Sequence, residues 1–178
     1  MTTETPLSKK FILDACCGPR MMWFNKHHPN TLYIDIREEN KGFVDNRDKI
    51  EIKPDMIMDN RKMSFPDKKF KLIVMDPPHI IGTPNIRCRL TQTYGCLNAE
   101  TWQDDLKKGF NECWRCLDDY GVFVLKWNEC NKNIKEIIKI FGKEPLFAQK
   151  TSQDFSNNKR KSKTYWMCFM KIPEEKLQ

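Results

Sequence analysis

Short apolar segments that alternate with longer amphipathic ones constrain the fold of this chain most strongly. Seven apolar segments have the length and composition of β-strands: residues 11–13, 31–36, 56–58, 72–75, 122–127, 146–150 and 165–171. Four stretches between them have helical periodicity: residues 19–26, 38–47, 100–117 and 132–141. Strands that alternate with helices are typical of βαβ units, whose right-handed crossovers build a mainly parallel sheet. The sequence therefore predicts an α/β fold.

Two local signals bound the predicted elements. Asn98 or Thr101 can cap the helix of residues 100–117, because both side chains accept hydrogen bonds from the free N–H groups of a first helical turn. The sequence DDYG at residues 118–121 predicts a turn that opens the fifth strand.

The length of the chain favours one domain. Its 178 residues suffice for one hydrophobic core and are few for two, and the sequence contains no repeat, low-complexity tract or linker. We expect a single domain over residues 1–178, with flexible ends at about 1–9 and 173–178. No apolar run approaches the roughly 20 residues that span a bilayer, and the N-terminus lacks the layout of a signal peptide. We therefore expect a cytoplasmic protein without a membrane partner.

The chain has eight cysteines, which is many for its length. Because no secretion signal accompanies them, reduced thiols are favoured over a disulfide framework. Cys113 and Cys116 form a CxxC motif, but it lies in a stretch of helical periodicity, and no second ligand pair follows at zinc-finger spacing. We expect buried thiols and no metal site.

The formal net charge of +7 and the sequence pI near 9.0 favour a nucleic-acid partner. Two segments without any acid concentrate the positive charge. Residues 80–96 carry Arg87 and Arg89. Residues 156–171 carry five cations: Lys159, Arg160, Lys161, Lys163 and Lys171. A solvated lysine-rich face is the alternative explanation.

Four acids follow the first four predicted strands. Asp14, Asp35, Asp59 and Asp76 lie at or just beyond the carboxyl end of each strand. In an open α/β sheet this edge is where ligands bind. Asp35 comes 21 positions after Asp14, about where a nucleotide-binding unit places the acid that holds a ribose. Single strand-end acids can be helix caps, but four in succession indicate a nucleotide site.

The fourth strand ends in an unusual sequence, Asp76-Pro77-Pro78-His79. Neither proline can donate to a sheet ladder, so the strand stops here, and Pro78 keeps Pro77 out of the helical region. The result is a stiff elbow with a carboxylate, fixed carbonyls and a flat ring. Such an elbow is suited to holding a ligand.

This order of motifs resembles the class I S-adenosylmethionine-dependent methyltransferases, over residues 10–171. ILDACCG is similar to their first motif, YIDIR to the second, IMDNRKMSF to the third and DPPH to the fourth. The resemblance implies S-adenosylmethionine as cofactor and a Rossmann-like methyltransferase fold, with a mainly parallel seven-stranded sheet, an antiparallel last strand and helices on both faces. It implies a cofactor site made of Asp14, Ala15, Cys16, Cys17, Gly18, Asp35, Ile36, Asp59, Asn60, Arg61 and Asp76.

The fourth motif resembles the signature of enzymes that methylate exocyclic amines of adenine or cytosine. More narrowly, LDACCGPRMMWF, DPPHI, VLKWNE and KSKTYWMCFMK resemble a small single-domain group frequent in bacteriophages. Two departures are visible. Gly18 is the only glycine in the first motif, and His79 stands where relatives have a larger aromatic residue. A neutral imidazole can stack on a base or donate a hydrogen bond to it.

The resemblance implies a catalytic role for the elbow. Asp76 and the carbonyl of Pro77 would each accept one N–H of the acceptor amine, Pro78 would stiffen the backbone, and His79 would contact the base. The acceptor would be N6 of adenine in DNA foremost, gripped by basic residues: Arg87, Arg89, Lys159, Arg160, Lys161 and Lys163. Three alternatives stay open: an RNA acceptor, a small-molecule or protein acceptor, and a catalytically silent cofactor-binding protein.

Overall fold

The computed structural model describes residues 9–83, 88–153 and 162–176. Seven strands form one sheet in the order β3-β2-β1-β4-β5-β7-β6. The strands are β1 (Ile12–Asp14), β2 (Thr31–Asp35), β3 (Met56–Ile57), β4 (Phe70–Met75), β5 (Leu117–Asn128), β6 (Phe147–Gln153) and β7 (Ser162–Met170). β1 to β5 pair in parallel, whereas β7 is antiparallel to both β5 and β6. The predicted seven-stranded, mainly parallel sheet is confirmed.

The structure changes the predicted start of the fifth strand. β5 begins at Leu117, and residues 118–121 form a bulge inside it, because Leu117 pairs with Phe70 while Val122 pairs with Leu72. A Cβ at Gly121 would lie 2.7 Å from the carbonyl oxygen of Asp118, so the bulge requires glycine there. The DDYG sequence that predicted a turn therefore lies within a longer strand.

The described helices are α1 (Arg89–Tyr94), α2 (Trp102–Cys116) and α3 (Ile134–Phe141), and a 3-10 turn at Glu174–Lys176 ends the described chain. α2 and α3 confirm two predicted helices, whereas α1 was not predicted. Thr101 occupies the N-cap position of α2, but its hydroxyl donates to Asp105 instead of capping the backbone. The side chain of Asn98 accepts from the Glu100 N–H at 2.8 Å. Of the predicted flexible ends, residues 1–8 and 177–178 lie outside the described residues.

An aromatic cluster centred on Phe110 of α2 packs both long helices onto the sheet. The Phe110 ring stacks on Phe141 of α3 with centroids 4.2 Å apart and meets Phe123 of β5 edge-on at 5.3 Å. Phe169 of β7 lies 6.1 Å from the same ring. Burial of aromatic rings is the largest hydrophobic contribution per residue. The cluster therefore places α2 and α3 on one face of the sheet.

The helix predicted at residues 19–26 is wrong, and Arg20 gives the reason. Its φ of 55° is left-handed, which interrupts a helix directly after Pro19. The guanidinium donates to the carbonyls of Lys26 and Lys53 and to the carboxylate of Asp55. It also lies 3.8 Å from the centroid of the Tyr33 ring. One nearly buried arginine thus organises a connection without a helix.

The helix predicted at residues 38–47 is also wrong. Glu39 forms an antiparallel bridge with Ile52, and left-handed φ angles at Gly42 and Asn46 turn the backbone. In a sheet of this order, right-handed crossovers place the connections after β1 and β2 on the face opposite α2 and α3. The face expected to carry these two helices therefore carries turns and loops.

Two further sequence expectations concern the cysteines and a membrane partner. All eight cysteines are free thiols, and Cys113 and Cys116 are completely buried in α2. Within residues 9–83, 88–153 and 162–176, the structure has no helix with the length and apolar character that a membrane crossing requires.

Candidate active site

A cleft opens at the carboxyl edge of the sheet, above β1, β2, β3 and β4. The cleft has a volume of about 180 Å³, which is room for on the order of ten water molecules or one small ligand. The structure brings eleven predicted site residues to its walls: Ala15, Cys16, Gly18, Asp35, Ile36, Asp59, Asn60, Arg61, Asp76, Pro77 and Pro78. The strand-end motifs, which are far apart in the chain, therefore form one site.

The loop after β1 contributes backbone to the cleft. Gly18 has a left-handed φ of 46°, and its N–H donates to Oδ2 of Asp35 at 2.9 Å. The bond joins the first and second motifs. Cys17 is buried beneath the loop, with its N–H bonded to the carbonyl of Ile34. Of these residues, Gly18 lines the cleft and Cys17 does not.

Asp14 supports the cleft from below. Its side chain is completely buried and is not part of the cleft wall. The carboxylate accepts from the indole Nε1 of Trp23 at 2.7 Å and from the N–H of Cys16 at 3.3 Å. Burial raises the pKa of Asp14 to about 7, against the effect of these hydrogen bonds, and the nearby Asp76 and Asp35 raise it further. Asp14 thus holds the loop in place.

Asp35 and Arg37 link β2 to the loop around α1. Oδ1 of Asp35 accepts from the Arg37 N–H at 3.0 Å. The guanidinium of Arg37 donates to the carbonyls of Gln92 and Thr93 at 3.2 Å each. Through this contact the end of α1 closes one side of the cleft. Ile36, between the two residues, is 59% exposed and offers an apolar surface inside the cleft.

Asp59 is already paired with a cation. Arg61 donates to both of its carboxylate oxygens at 2.7 to 3.0 Å, and also donates to Asp105 of α2 at 2.7 Å. The hydrogen bonds from Arg61 lower the pKa of Asp59. Any ligand amine that contacts Asp59 must therefore share oxygens with Arg61.

The proline elbow places Asp76 on the wall of the cleft. β4 ends at Met75, and Asp76, Pro77 and Pro78 line the wall that follows. Nζ of Lys126 on β5 donates to Oδ2 of Asp76 at 2.6 Å. Burial raises the pKa of Asp76, and the charge and hydrogen bond of Lys126 counter this effect. The sequence did not identify Lys126 as a site residue.

His79 is half-buried and is not among the residues that line the cleft. Its carbonyl accepts a weak hydrogen bond from the thiol of Cys130 at 3.4 Å. Burial lowers the pKa of the imidazole, so the ring is neutral at physiological pH. A neutral ring is compatible with both roles suggested by the sequence, stacking and hydrogen bonding.

Only part of the predicted basic surface falls on described residues. Arg89 begins α1 and Lys163 lies on β7, and both are exposed. The other predicted cations, Arg87, Lys159, Arg160 and Lys161, lie outside the described residues.

Eight further residues that line the cleft were not predicted: Arg37, Met58, Met75, Tyr94, Gly95, Leu97, Asp105 and Leu106. Asp105 and Leu106 lie on α2, Tyr94 is the last residue of α1, and Gly95 follows it. The helical periodicity of α2 indicated buried positions but not the wall of a cleft. At Gly95 a Cβ would lie 3.7 Å from Cγ of Pro78, which shows how closely the segment approaches the elbow.

Solved structures resemble this fold, although the sequence matches no protein-family model and has no significant match among curated proteins. A S-adenosylmethionine-dependent methyltransferase from Methanosarcina mazei superimposes with a TM-score of 0.58 at 14% identity, over 92% of each chain. A Listeria monocytogenes protein assigned to the same class gives 0.52 at 10% identity, over 96% of this chain and 94% of the other. The 4+2 cyclase SpnF gives 0.52 at 9% identity, over 90% of this chain and 74% of the other. The chain therefore has the fold of class I S-adenosylmethionine-dependent methyltransferases.

Proposed function

We propose that the protein is a S-adenosylmethionine-dependent methyltransferase that acts on an exocyclic amine of a nucleic-acid base. The observation that carries this proposal is the joint placement of Asp35, Gly18 and the Asp76-Pro77-Pro78 elbow on one cleft. A nucleoside site and an amine-binding carboxylate then share a single cavity. The solved structures named above support the choice of cofactor.

The residues of the cleft fit the parts of this cofactor. Asp35 would accept hydrogen bonds from ribose hydroxyls, and the exposed apolar side chain of Ile36 suits one face of the adenine ring. The edge of the adenine would meet the segment from Asp59 to Arg61. When bound, S-adenosylmethionine supplies an electrophilic methyl group on a sulfonium.

The elbow supplies orientation to the acceptor. The lone pair of an exocyclic amine is delocalised into its ring, which makes the nitrogen a poor nucleophile. Asp76 and the carbonyl of Pro77 would each accept one N–H, which draws the nitrogen toward tetrahedral geometry and localises its lone pair, aimed at the methyl group. Because the two prolines fix the direction of that carbonyl, the acceptor groups are preorganised. A base within a duplex must be flipped out or presented on a single strand to reach them.

The finer assignment to N6 of adenine in DNA rests on the resemblance of the DPPH sequence to enzymes of that kind. The net charge of +7 agrees with a polyanionic substrate, either DNA or RNA. Transfer of a labelled methyl group to separate pools of DNA, RNA and protein, followed by mass spectrometry of the nucleosides, identifies the acceptor.

The decisive test of the mechanism is substitution of Asp76. We expect Asp76→Ala to abolish methyl transfer while cofactor affinity and melting temperature stay close to those of the wild type. Asp76→Asn retains one acceptor oxygen, so it should keep part of the activity. Lys71→Met is a matched control, since it removes a 2.6 Å ion pair with Asp118 at the other end of β4. Full activity of Asp76→Ala would falsify the mechanism.

A further inference from the structure

Lys126 lies in a row of side chains that crosses the sheet next to the elbow. Met75 of β4 pairs with Leu125 of β5, so Asp76 is level with Lys126. Lys126 pairs in turn with Trp166 of β7. Because side chains alternate along a strand, Lys126 points to the face opposite the buried Leu125 and Trp127. This register brings a lysine to the acid of the elbow.

The geometry fixes this lysine from two sides. Its Nζ lies 2.6 Å from Oδ2 of Asp76 and 5.6 Å from the centroid of the Trp166 ring. The side chains of Asp76 and Lys126 are only 18% and 30% exposed, so the pair is poorly screened by solvent. Among the residues that the structure describes, Lys126 is the one hydrogen-bond donor to the Asp76 carboxylate.

Three other titratable groups face Asp76. Asp14 and Cys16 approach from the end of β1, and His79 follows on the elbow itself. Asp14 is an acid and cannot offset a negative charge on Asp76, and His79 lowers the pKa of Asp76 less than Lys126 does. Lys126 is therefore the cation that balances the carboxylate, and it occupies only one of its two oxygens.

We propose that Lys126 is a positioning residue of the acceptor site, which holds one oxygen of Asp76 and restricts the site to uncharged acceptor amines. This inference rests on the proposed function and narrows its substrate class. The second oxygen, Oδ1, is left to accept an N–H of the substrate. An alkylamine such as a lysine side chain is a cation at neutral pH and would meet the Lys126 ammonium at the same carboxylate. The amine of a nucleic-acid base is uncharged and meets no such repulsion.

The first experiment measures Asp76 without requiring turnover. NMR of the protein labelled with carbon-13 at aspartate carboxyls follows the titration of Asp76, whose signal is assigned by its loss in Asp76→Asn. In Lys126→Met the midpoint should rise by at least one pH unit, a tenfold weaker acid, and Lys126→Arg should restore it. Lys71→Met should leave the midpoint unchanged. An unchanged midpoint in a folded Lys126→Met overturns the inference.

The second experiment compares acceptors. At neutral pH, Lys126→Met should lose at least tenfold in kcat on nucleic acid, and the acidic limb of its pH profile should move to higher pH. Its ratio of transfer to a lysine-rich peptide over transfer to nucleic acid should rise relative to the wild type. A falling or constant ratio overturns the proposed selectivity. A wild-type protein that methylates no nucleic acid refutes the proposed function, and the titration still decides the role of Lys126.

Discussion

The indole N–H of Trp23 donates to the completely buried carboxylate of Asp14 across the turn that follows β1, at 2.7 Å. Trp23 belongs to a stretch predicted as a helix, yet the turn brings its indole back to Asp14, whose carboxylate also accepts from the N–H of Cys16. The contact with Trp23 gives a buried acid one strong hydrogen-bond donor.

The burial of Asp14 predicts a pH-dependent stability. The folded protein keeps the proton of Asp14 up to about pH 7, whereas the unfolded chain loses it near its ordinary pKa of 3.8. The folded state therefore binds more protons between these values, and the free energy of unfolding should fall as the pH rises through them, by up to roughly 4 kcal/mol. Urea unfolding from pH 4 to pH 8 measures the change. Asp14→Asn cannot titrate, so its free energy of unfolding should lack this fall with pH. If the free energy of unfolding falls equally with pH in both proteins, Asp14 is not its cause.

Trp23→Phe provides a second test of the same contact. The hydrogen bond from Trp23 lowers the pKa of Asp14 in the folded state, so its removal should extend the loss of stability to higher pH, while the onset stays at the pKa of the unfolded chain. Phenylalanine keeps most of the apolar contact with Tyr33, whose ring lies 5.2 Å away. A shift to lower pH would mean that Trp23 does not stabilise the ionised acid.

Asp35→Ala should weaken binding of S-adenosylmethionine and of its demethylated product by about 1.5–3 kcal/mol, through loss of charge-assisted hydrogen bonds. Calorimetry measures the affinity. The substitution also leaves the N–H groups of Gly18 and Arg37 without their acceptor, so Asp35→Asn is the control that retains an oxygen. We expect the asparagine variant to lie between alanine and wild type. Unchanged affinity in Asp35→Ala would remove this residue from the cofactor site.

His79→Phe separates stacking from hydrogen bonding at the elbow. We expect the ring to act by stacking, and phenylalanine, which offers a larger apolar face, should then give activity at least equal to that of the wild type. His79→Ala should lose activity, mainly through a higher KM for nucleic acid. Steady-state kinetics at saturating cofactor measure both variants. Near loss of activity in His79→Phe, with retention in His79→Gln, would show that the ring donates a hydrogen bond.

Replacing Lys159, Arg160, Lys161 and Lys163 together with glutamine should weaken binding to duplex DNA. The slope of log affinity against log salt should become shallower by about 0.9 for each lost phosphate contact. A control of equal charge replaces the exposed lysines 107, 108, 135 and 139 of α2 and α3. Equal slopes for the wild type and the first variant would show that these four cations are exposed to solvent and do not contact the DNA phosphates.

The sequence predicted the strands well, because their apolar runs are short and each of the first four ends in an acid. It also predicted that Asp35, Asp59 and Asp76 converge, since the carboxyl ends of parallel strands meet at one edge. These inferences need only periodicity and topology. They do not depend on which distant side chains touch.

The failures come from contacts between residues far apart in the chain. The left-handed turn at Arg20 is held by the carbonyl of Lys53 and by Asp55, which no local pattern near residue 20 reveals. α1 has six residues, two of them threonine, and docks through Arg37, so its own sequence carries little helical signal. The pairing of Lys126 with Asp76 follows from strand register, which the sequence does not specify.

The aromatic cluster around Phe110 has a consequence for how the protein is made. Its members, Phe110, Phe123, Phe141 and Phe169, all follow β4 in the chain. β1 to β4 therefore leave the ribosome before the side chains that anchor the centre of the sheet have been synthesised. Contacts between distant segments form slowly, and unpaired parallel strands are prone to aggregate. We expect the nascent N-terminal half to depend on chaperones until α3 and β7 emerge.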